Sequence, residues 1–327
     1  MNLVKVSGLH KREGTNAVLQ GISFTQKKFR KMALAGESGA GKTSLLKSIG
    51  GLLQPDAGEI LFRGEKLLGP YEKLIPGHPA IAYLSQHFEL RNNYRVEEIL
   101  AYANTLSEEE AQTIYEVCRI RSLLGRKTDQ VSGGERQRIA LARLLIGSPA
   151  LLLLDEPFSN LDPIHKQVLK KVIDDIGDRL KITCLLASHD PLDTLPWADE
   201  LLVLKSGMIV QQGSPAEVYR QPVSEYVAAL FGNYNLISPA RAGVLSGLPG
   251  VEIKERPLFI RPESFTIART GIPGVVEKLV FFGSYSEAEV NLSGTKIVVR
   301  TADPSIVAGQ TVTISLFPDA VWYGLNC

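Results

Sequence analysis

The sequence predicts an α/β domain built on a mostly parallel sheet, with a helical subdomain inserted in it and a small all-β barrel domain after it. Three observations predict this. Short apolar runs at residues 31–35, 80–84, 150–154, 182–187 and 200–204 alternate with helical patterns such as residues 164–176, the order that builds parallel sheets. Between about residues 96 and 147 the strand signal vanishes and the chain turns helical and charged. Beyond Phe231 glycine and proline become frequent, helical periodicity fades, and polar and apolar residues alternate with period two.

Each element follows from its residues. The run at 31–35 reads as a strand entering a glycine-rich turn. The run at 150–154 is one alanine and four leucines, continuous as expected of a strand buried on both faces. The run at 182–187 repeats that pattern. The helical insert carries Glu108, Glu109 and Glu110, then Arg119 and Arg121. In the tail, residues 287–292 alternate, Ser293 and Gly294 make a turn, residues 296–300 return, and residues 311–316 alternate again, which is an antiparallel module. The expected domains are 1–232 and 233–327, with the helical subdomain at about 96–147.

The chain has 327 residues, and 36 Lys and Arg nearly balance 35 Asp and Glu for a formal net charge of +1. That balance gives no reason to expect nucleic acid or an anionic surface as the main partner. No apolar run approaches the roughly 18 residues that span a bilayer. The N-terminus enters a strand-like pattern without a secretory layout. Cys118, Cys184 and Cys327 lie far apart, with neither metal spacing nor even pairing, and read as free thiols in a reducing cytosol. The expectation is a cytoplasmic protein, peripheral if it works at a membrane.

Five segments carry chemistry. Gly36, Glu37, Ser38, Gly39, Ala40, Gly41, Lys42 and Thr43 fulfil the phosphate-loop pattern, after a strand and before the helical stretch that Ser44 opens. The glycines let backbone amides curl around the phosphates, Lys42 adds a positive charge, and the Thr43 hydroxyl can ligate Mg²⁺. Alone, this loop specifies a nucleoside triphosphate and does not separate a GTPase, a kinase or an ATPase. Leucines 151–154 deliver Asp155 to the carboxyl edge of the sheet, where open α/β sheets bind ligands. Asp155 is read as holding Mg²⁺ through water, and Glu156 as the general base for an attacking water. Asp and Glu together argue for hydrolysis. His189 follows the run that ends at Ala187, falls on the same sheet edge, and is read as a sensor of the γ-phosphate. Gln86, after the 80–84 run, can reach Mg²⁺ or the attacking water.

The fifth segment is Val131-Ser-Gly-Gly-Glu-Arg-Gln-Arg138. Ser132 and Glu135 have the spacing of a capping box at a helix start. One glycine would suffice for a turn, but Gly133 and Gly134 are paired. They leave several amides bare at the positive end of a helix, which is a second anion site. A second phosphate site on a separate subdomain makes sense when it binds a partner's γ-phosphate, in a head-to-tail dimer with two ATPs at the interface.

The phosphate loop, Gln86, Val131 to Glu135, Leu154-Asp-Glu-Pro157, Ser159-Asn-Leu-Asp162 and His189, in that order, resemble the nucleotide-binding subunit of ATP-binding-cassette (ABC) transporters, over about residues 3–231. The resemblance implies an α/β P-loop NTPase that uses ATP and Mg²⁺. It implies that Ser132, Gly133 and Gly134 are the signature motif acting in trans, that the Ser159 to Asp162 loop crosses to the other site of a homodimer, and that the Gln86 region senses a membrane permease. Residues 208–222 resemble the run-out of importer cassettes, and Arg261-Pro-Glu263 with the strands after it resembles their small TOBE-like regulatory barrel. Importers with this tail serve iron(III), polyamines, sulfate, molybdate or sugars, and one short barrel unit suits the iron or polyamine type. The implied partners are integral-membrane permease subunits and an extracytoplasmic solute-binding protein, with no nucleic acid, at the inner face of the cell membrane. An exporter motor, or a soluble cassette ATPase outside transport, are the alternatives.

Two positions depart from the family pattern. Glu13, beside Arg12 and His10, stands where the family places a ring against adenine, which predicts looser base selectivity. Leu90-Arg-Asn-Asn-Tyr94 replaces a Phe-Pro-His-like stretch in the segment that faces the permease.

Overall fold

The computed structural model describes residues 1–86, 90, 92–159, 161–317 and 320–323. Arg91 of the 90–94 segment, Asn160 of the 159–162 loop and Cys327 lie outside the described residues. Contacts divide the chain into two compact units, Met1–Pro215 and Ala216–Cys327.

The first unit runs β1 (Asn2–Glu13), β2 (Asn16–Lys27), β3 (Lys31–Ala35), α1 (Lys42–Ile49), β4 (Ala57–Phe62), β5 (Glu65–Lys66), β6 (Ile81–Leu84), α2 (Val96–Ala103), α3 (Glu108–Val117), α4 (Gly133–Leu145), β7 (Leu151–Asp155), α5 (Pro163–Arg179), β8 (Thr183–Ser188), α6 (Pro191–Thr194), β9 (Glu200–Lys205) and β10 (Met208–Gly213). The six-stranded sheet has the order β10-β9-β3-β8-β7-β6. It is parallel except for β10, which pairs antiparallel with β9. A second, antiparallel sheet has the order β2-β1-β4-β5.

The leucines of β7 show why the parallel sheet sits in the middle. Side chains alternate faces along a strand. Leu152 and Leu154 join a core with Ile139, Leu145, Leu169 and Val172 of α4 and α5. Leu151 and Leu153 join the opposite core, with Leu45, Leu46 and Ile49 of α1 and Val4, Val6 and Ile22 of the antiparallel sheet. A strand covered on both faces has no polar position to spare, hence the unbroken apolar run. Residues 96–147 hold α2, α3 and α4, with short 3₁₀ turns at 121–123 and 128–130 between α3 and α4.

In the second unit, α7 (Pro215–Arg220) and α8 (Glu225–Leu230) precede β11 (Asn235–Ile237), α9 (Pro239–Ala242), β12 (Leu258–Ile260), β13 (Phe265–Phe281), β14 (Ser286–Leu292), β15 (Thr295–Thr301), β16 (Thr311–Leu316) and β17 (Val321–Tyr323). The strands form two antiparallel sheets, β11-β12-β17 and β15-β14-β13-β16. Both contribute to one core, in which Ile237, Leu258 and Ile260 meet Val276, Val290, Val299 and Ile314. The alternation expected at 287–292 is realised: Ala288, Val290 and Leu292 are fully buried in β14.

Candidate functional site

Strand β3 feeds the phosphate loop, and α1 begins at Lys42. Gly41 is the N-cap of α1 with φ 102°, in the left-handed region that glycine tolerates. A Cβ on it would lie 2.6 Å from the Val18 carbonyl oxygen, so no side chain fits. A cap without a side chain leaves the first amides of α1 directed into the loop, where an anion can take them. Lys42 is buried. Its Nζ donates to the carbonyls of Gly36 at 2.7 Å and Glu37 at 3.1 Å, and stands 3.4 Å from Glu156 Oε1.

The parallel strands β6, β7 and β8 bring the remaining groups to the same edge. Asp155 ends β7 and is 2% exposed. Its Oδ1 accepts from Thr43 Oγ1 at 3.1 Å, and its Oδ2 accepts from the Tyr83 hydroxyl of β6 at 2.8 Å. Burial, and then the Asp155 carboxylate, push the Tyr83 phenol well above its ordinary value. Glu156 turns the chain with φ 48°, unusual for a residue with a side chain. Its amide donates to the Ala187 carbonyl of β8 at 3.0 Å, and its Oε2 lies 3.0 Å from His189 Nδ1. Lys42, Thr43, Asp155, Glu156 and His189, which the sequence scatters over 148 positions of numbering, thus form one connected polar cluster, and Tyr83 belongs to it.

The other expected site residues form a second group. Ser132 is the N-cap of α4, its Oγ accepts from the Glu135 amide at 3.3 Å, and the Ser132 amide donates to Glu135 Oε2 at 2.8 Å. That is the capping box the spacing predicts. Ser132 and Gly133 are exposed and Gly134 is buried. Asp162 caps α5, accepting from the amides of Ile164 and His165, and these bonds hold its carboxyl below the usual carboxylate range. His165 joins the two: its Nδ1 contacts Asp162 Oδ2, and its ring lies where a Cβ on Gly134 would be, 2.7 Å from that position. Gln137 of α4 donates to the Pro157 carbonyl, one residue beyond Glu156. Gln86 is exposed on a bend past β6, and among the described residues it makes no hydrogen bond to the Asp155 cluster.

Sequence reading missed Tyr83, His165 and Gln137. For Tyr83 the signal was a lone hydroxyl in an otherwise apolar strand. For the other two the partners are remote in sequence.

Residues 19–159 match the ABC transporter family, and residues 258–323 match the TOBE domain. The chain is 33% identical to the sulfate/thiosulfate import ATP-binding protein CysA 2 of Chromobacterium violaceum, over 96% of this chain and 93% of that protein. It is 30% identical to the Fe(3+) ions import ATP-binding protein FbpC of Escherichia coli O157:H7, over 91% of this chain and 90% of that one. Among solved structures it resembles cbiO1 from Clostridium perfringens, part of the ABC transporter complex cbiONQ, with TM-score 0.58, 26% identity, and 66% of this chain and 90% of that chain covered. It also resembles in fold the ADP conformation of an ATP-binding cassette of an ABC transporter, with TM-score 0.60, 21% identity, and 71% of this chain and 98% of that one covered.

Proposed function

The chain belongs to the ABC transporter family, and from that premise we propose that it is the ATP-hydrolysing motor subunit of an importer, working as a homodimer against membrane permease subunits. The observation that carries this reading is two polar contacts at one edge of the sheet, Thr43 to Asp155 and His189 to Glu156, with Lys42 beside Glu156. ATP would lie along the phosphate loop, with the α1 amides and Lys42 balancing its phosphate charge. Lys42 leaves its loop carbonyls for the phosphates at little cost, because the exchange replaces one set of oxygen acceptors by another.

Thr43 Oγ1 and Asp155 Oδ1 are adjacent oxygens of the kind a hard cation takes, so both fit Mg²⁺, with Gln86 as a further ligand if its bend moves inward. Mg²⁺ when bound would neutralise charge on the phosphate oxygens. Glu156 would accept a proton from the attacking water, and His189, held at Glu156 Oε2, would hydrogen-bond the γ-phosphate. Ser132, Gly133 and Gly134 would offer their amides to the γ-phosphate of the partner subunit's ATP, and Asp162 would face the same interface.

We read the chain as a peripheral subunit at the inner face; no helix among the described residues is long and apolar enough to cross a membrane. The import relatives support permease partners, to which we add an extracytoplasmic binding protein, and the sulfate/thiosulfate and Fe(3+) in the relatives' names make small inorganic ions the first solutes to test.

The Glu156→Gln variant tests the mechanism. It keeps the nucleotide contacts but loses the base, so hydrolysis should fall about 100- to 10,000-fold while ATP-bound dimer accumulates. Phosphate release and light scattering read the two effects. A variant that stays monomeric at saturating ATP and Mg²⁺ would remove the trans-site arrangement. Purification from native membranes should bring a polytopic permease with a binding protein, and soluble partners alone would remove the import reading.

A further inference from the structure

His189 is the least supported member of the cluster by its own packing. Its side chain is 57% exposed, and its ring reaches Glu156. Its place is therefore set by the residues on either side of it. Ser188 is 1% exposed, donates from Oγ to Asp193 Oδ2 at 3.1 Å, and accepts from the Asp190 amide at 3.1 Å. Asp190 caps α6 by accepting from the Leu192 amide. Asp193, 3% exposed, is a buried carboxylate and needs a cation.

Helix α5 supplies it. Lys166 Nζ lies 2.6 Å from Asp190 Oδ2 and 2.8 Å from Asp193 Oδ1. Lys170, one turn on, lies 2.9 Å from Asp193 Oδ1 and donates to the Leu192 carbonyl at 2.7 Å. The two lysines clamp the whole turn that carries His189. The helix they stand on is capped by Asp162 and anchored in the core by Leu169, Val172, Ile173 and Ile176. It is continuous from Pro163 to Arg179, and Lys166 is only four positions from the Asp162 cap.

We infer that Lys166 is a positioning residue for hydrolysis: it holds His189 against Glu156, and it makes that placement depend on the Asp162 end of α5. A shift of Asp162 is carried through α5 to Lys166, from Lys166 to Asp190 and Asp193, and from these to the backbone on both sides of His189. The inference rests on the ATPase reading above. The ion pairs of Lys166 go to Asp190 and Asp193, away from the phosphate loop, so ATP binding is expected not to depend on it.

The test uses the full chain with Lys166→Met, Lys166→Arg and Asp190→Asn. ATP hydrolysis gives kcat and KM, equilibrium binding gives ATP affinity, and thermal melting reports the fold. Loss of position at the reacting group should lower kcat of Lys166→Met about 10- to 100-fold, with KM and ATP affinity unchanged. Arginine reaches both carboxylates with its fork of donors and should restore most of the rate. A purely structural role would lower the melting temperature without separating kcat from KM. Lys170 still neutralises Asp193 in Lys166→Met, so the variant should fold. If it does not, Asp190→Asn removes one arm of the clamp without stranding a buried charge, and it should show a smaller loss of kcat alone. An unchanged kcat, a parallel loss of kcat and affinity, or an arginine variant as slow as methionine overturns the inference. Wild-type chain that hydrolyses no ATP removes the ATPase reading itself, and is thereby distinguished from wild-type hydrolysis that Lys166→Met leaves intact.

Discussion

Asp155 is held by two hydroxyls, and only one of them belongs to the motif that points to it. Thr43 takes Oδ1 and Tyr83 takes Oδ2. The first bond lies between two expected Mg²⁺ ligands, and the second fixes the rotation of the carboxylate that would present itself to the ion. Partners of metal ligands commonly affect metal affinity nearly as much as the ligands do. Tyr83→Phe should therefore raise the Mg²⁺ concentration for half-maximal hydrolysis about tenfold, with the saturated rate much less affected, as a Mg²⁺ titration would show. The sign of the phenol shift adds a control. Burial and Asp155 raise it, so Tyr83 stays protonated through the alkaline range, and Tyr83→Phe should leave any alkaline limb of the rate profile in place. Asp155 and Glu156 were legible in the sequence because a buried strand that ends in two carboxylates has few structural uses. Tyr83 was not, because a tyrosine in a strand usually spends its ring on packing and gives no local sign of what its hydroxyl meets.

The start of α4 separates what an element inherits from its own sequence from what it takes from its surroundings. The capping box between Ser132 and Glu135 is spelled locally, and Ser132→Ala should cost about 1 kcal/mol of stability. The Ser132 amide is the leading cause that holds the Glu135 carboxyl below its usual 4.5. A depressed carboxylate stabilises the fold above its unfolded value and loses that contribution as pH falls through the folded one. The stability difference between wild type and Glu135→Gln, measured by denaturant unfolding, should hold at neutral pH and shrink as pH falls below 4.5. Gly133 and Gly134 look alike in sequence and differ in the fold. A Cβ on Gly133 meets nothing within 4 Å, whereas on Gly134 it meets the His165 ring at 2.7 Å. Gly134→Ala should thus lower the melting temperature, and Gly133→Ala should do so much less. Similar reasons explain which strands could be read. The parallel strands announce themselves as apolar runs. The β1–β2 hairpin shows only its strand-like entry at the N-terminus, because register shifts at Asn2/Val4, Val6/Leu9, Leu9/Lys11 and Lys11/Arg12 break its alternation. The long strand β13 is interrupted likewise between Ile267 and Ile272, and its Gly271 and Pro273 read as loop. Helices α8 and α9, of 6 and 4 residues, are too short to show a helical period.

At the scale of the molecule, the two compact units have separate cores, and their stabilities should answer to different residues. In the second unit the decisive one is Arg261. It is 7% exposed, and its guanidinium donates to the carbonyls of Tyr219, Ala228, Gly232 and Asn233 at 3.0–3.3 Å while stacking 4.2 Å from the Tyr219 ring. These carbonyls lie on and around α7 and α8, so one side chain from the end of β12 ties the helical stretch to the all-β core. This is why residues 216–232 pack with the second unit, although the change of composition comes only near residue 232. Burial lowers the Arg261 pKa, but from a value so high that the group stays charged, and its planar fork is the one shape that serves four carbonyls at once. Lysine, with three donors on a single atom, cannot replace it. Arg261→Met leaves buried carbonyls without donors, and it should destabilise this unit by roughly 3 kcal/mol, read as faster hydrogen exchange in residues 219–237. ATP affinity should not change, since every expected nucleotide contact lies in the first unit. An equal loss of ATP affinity in Arg261→Met would mean that the nucleotide site depends on the second unit, and the assignment of ATP binding to residues 1–215 alone would fall.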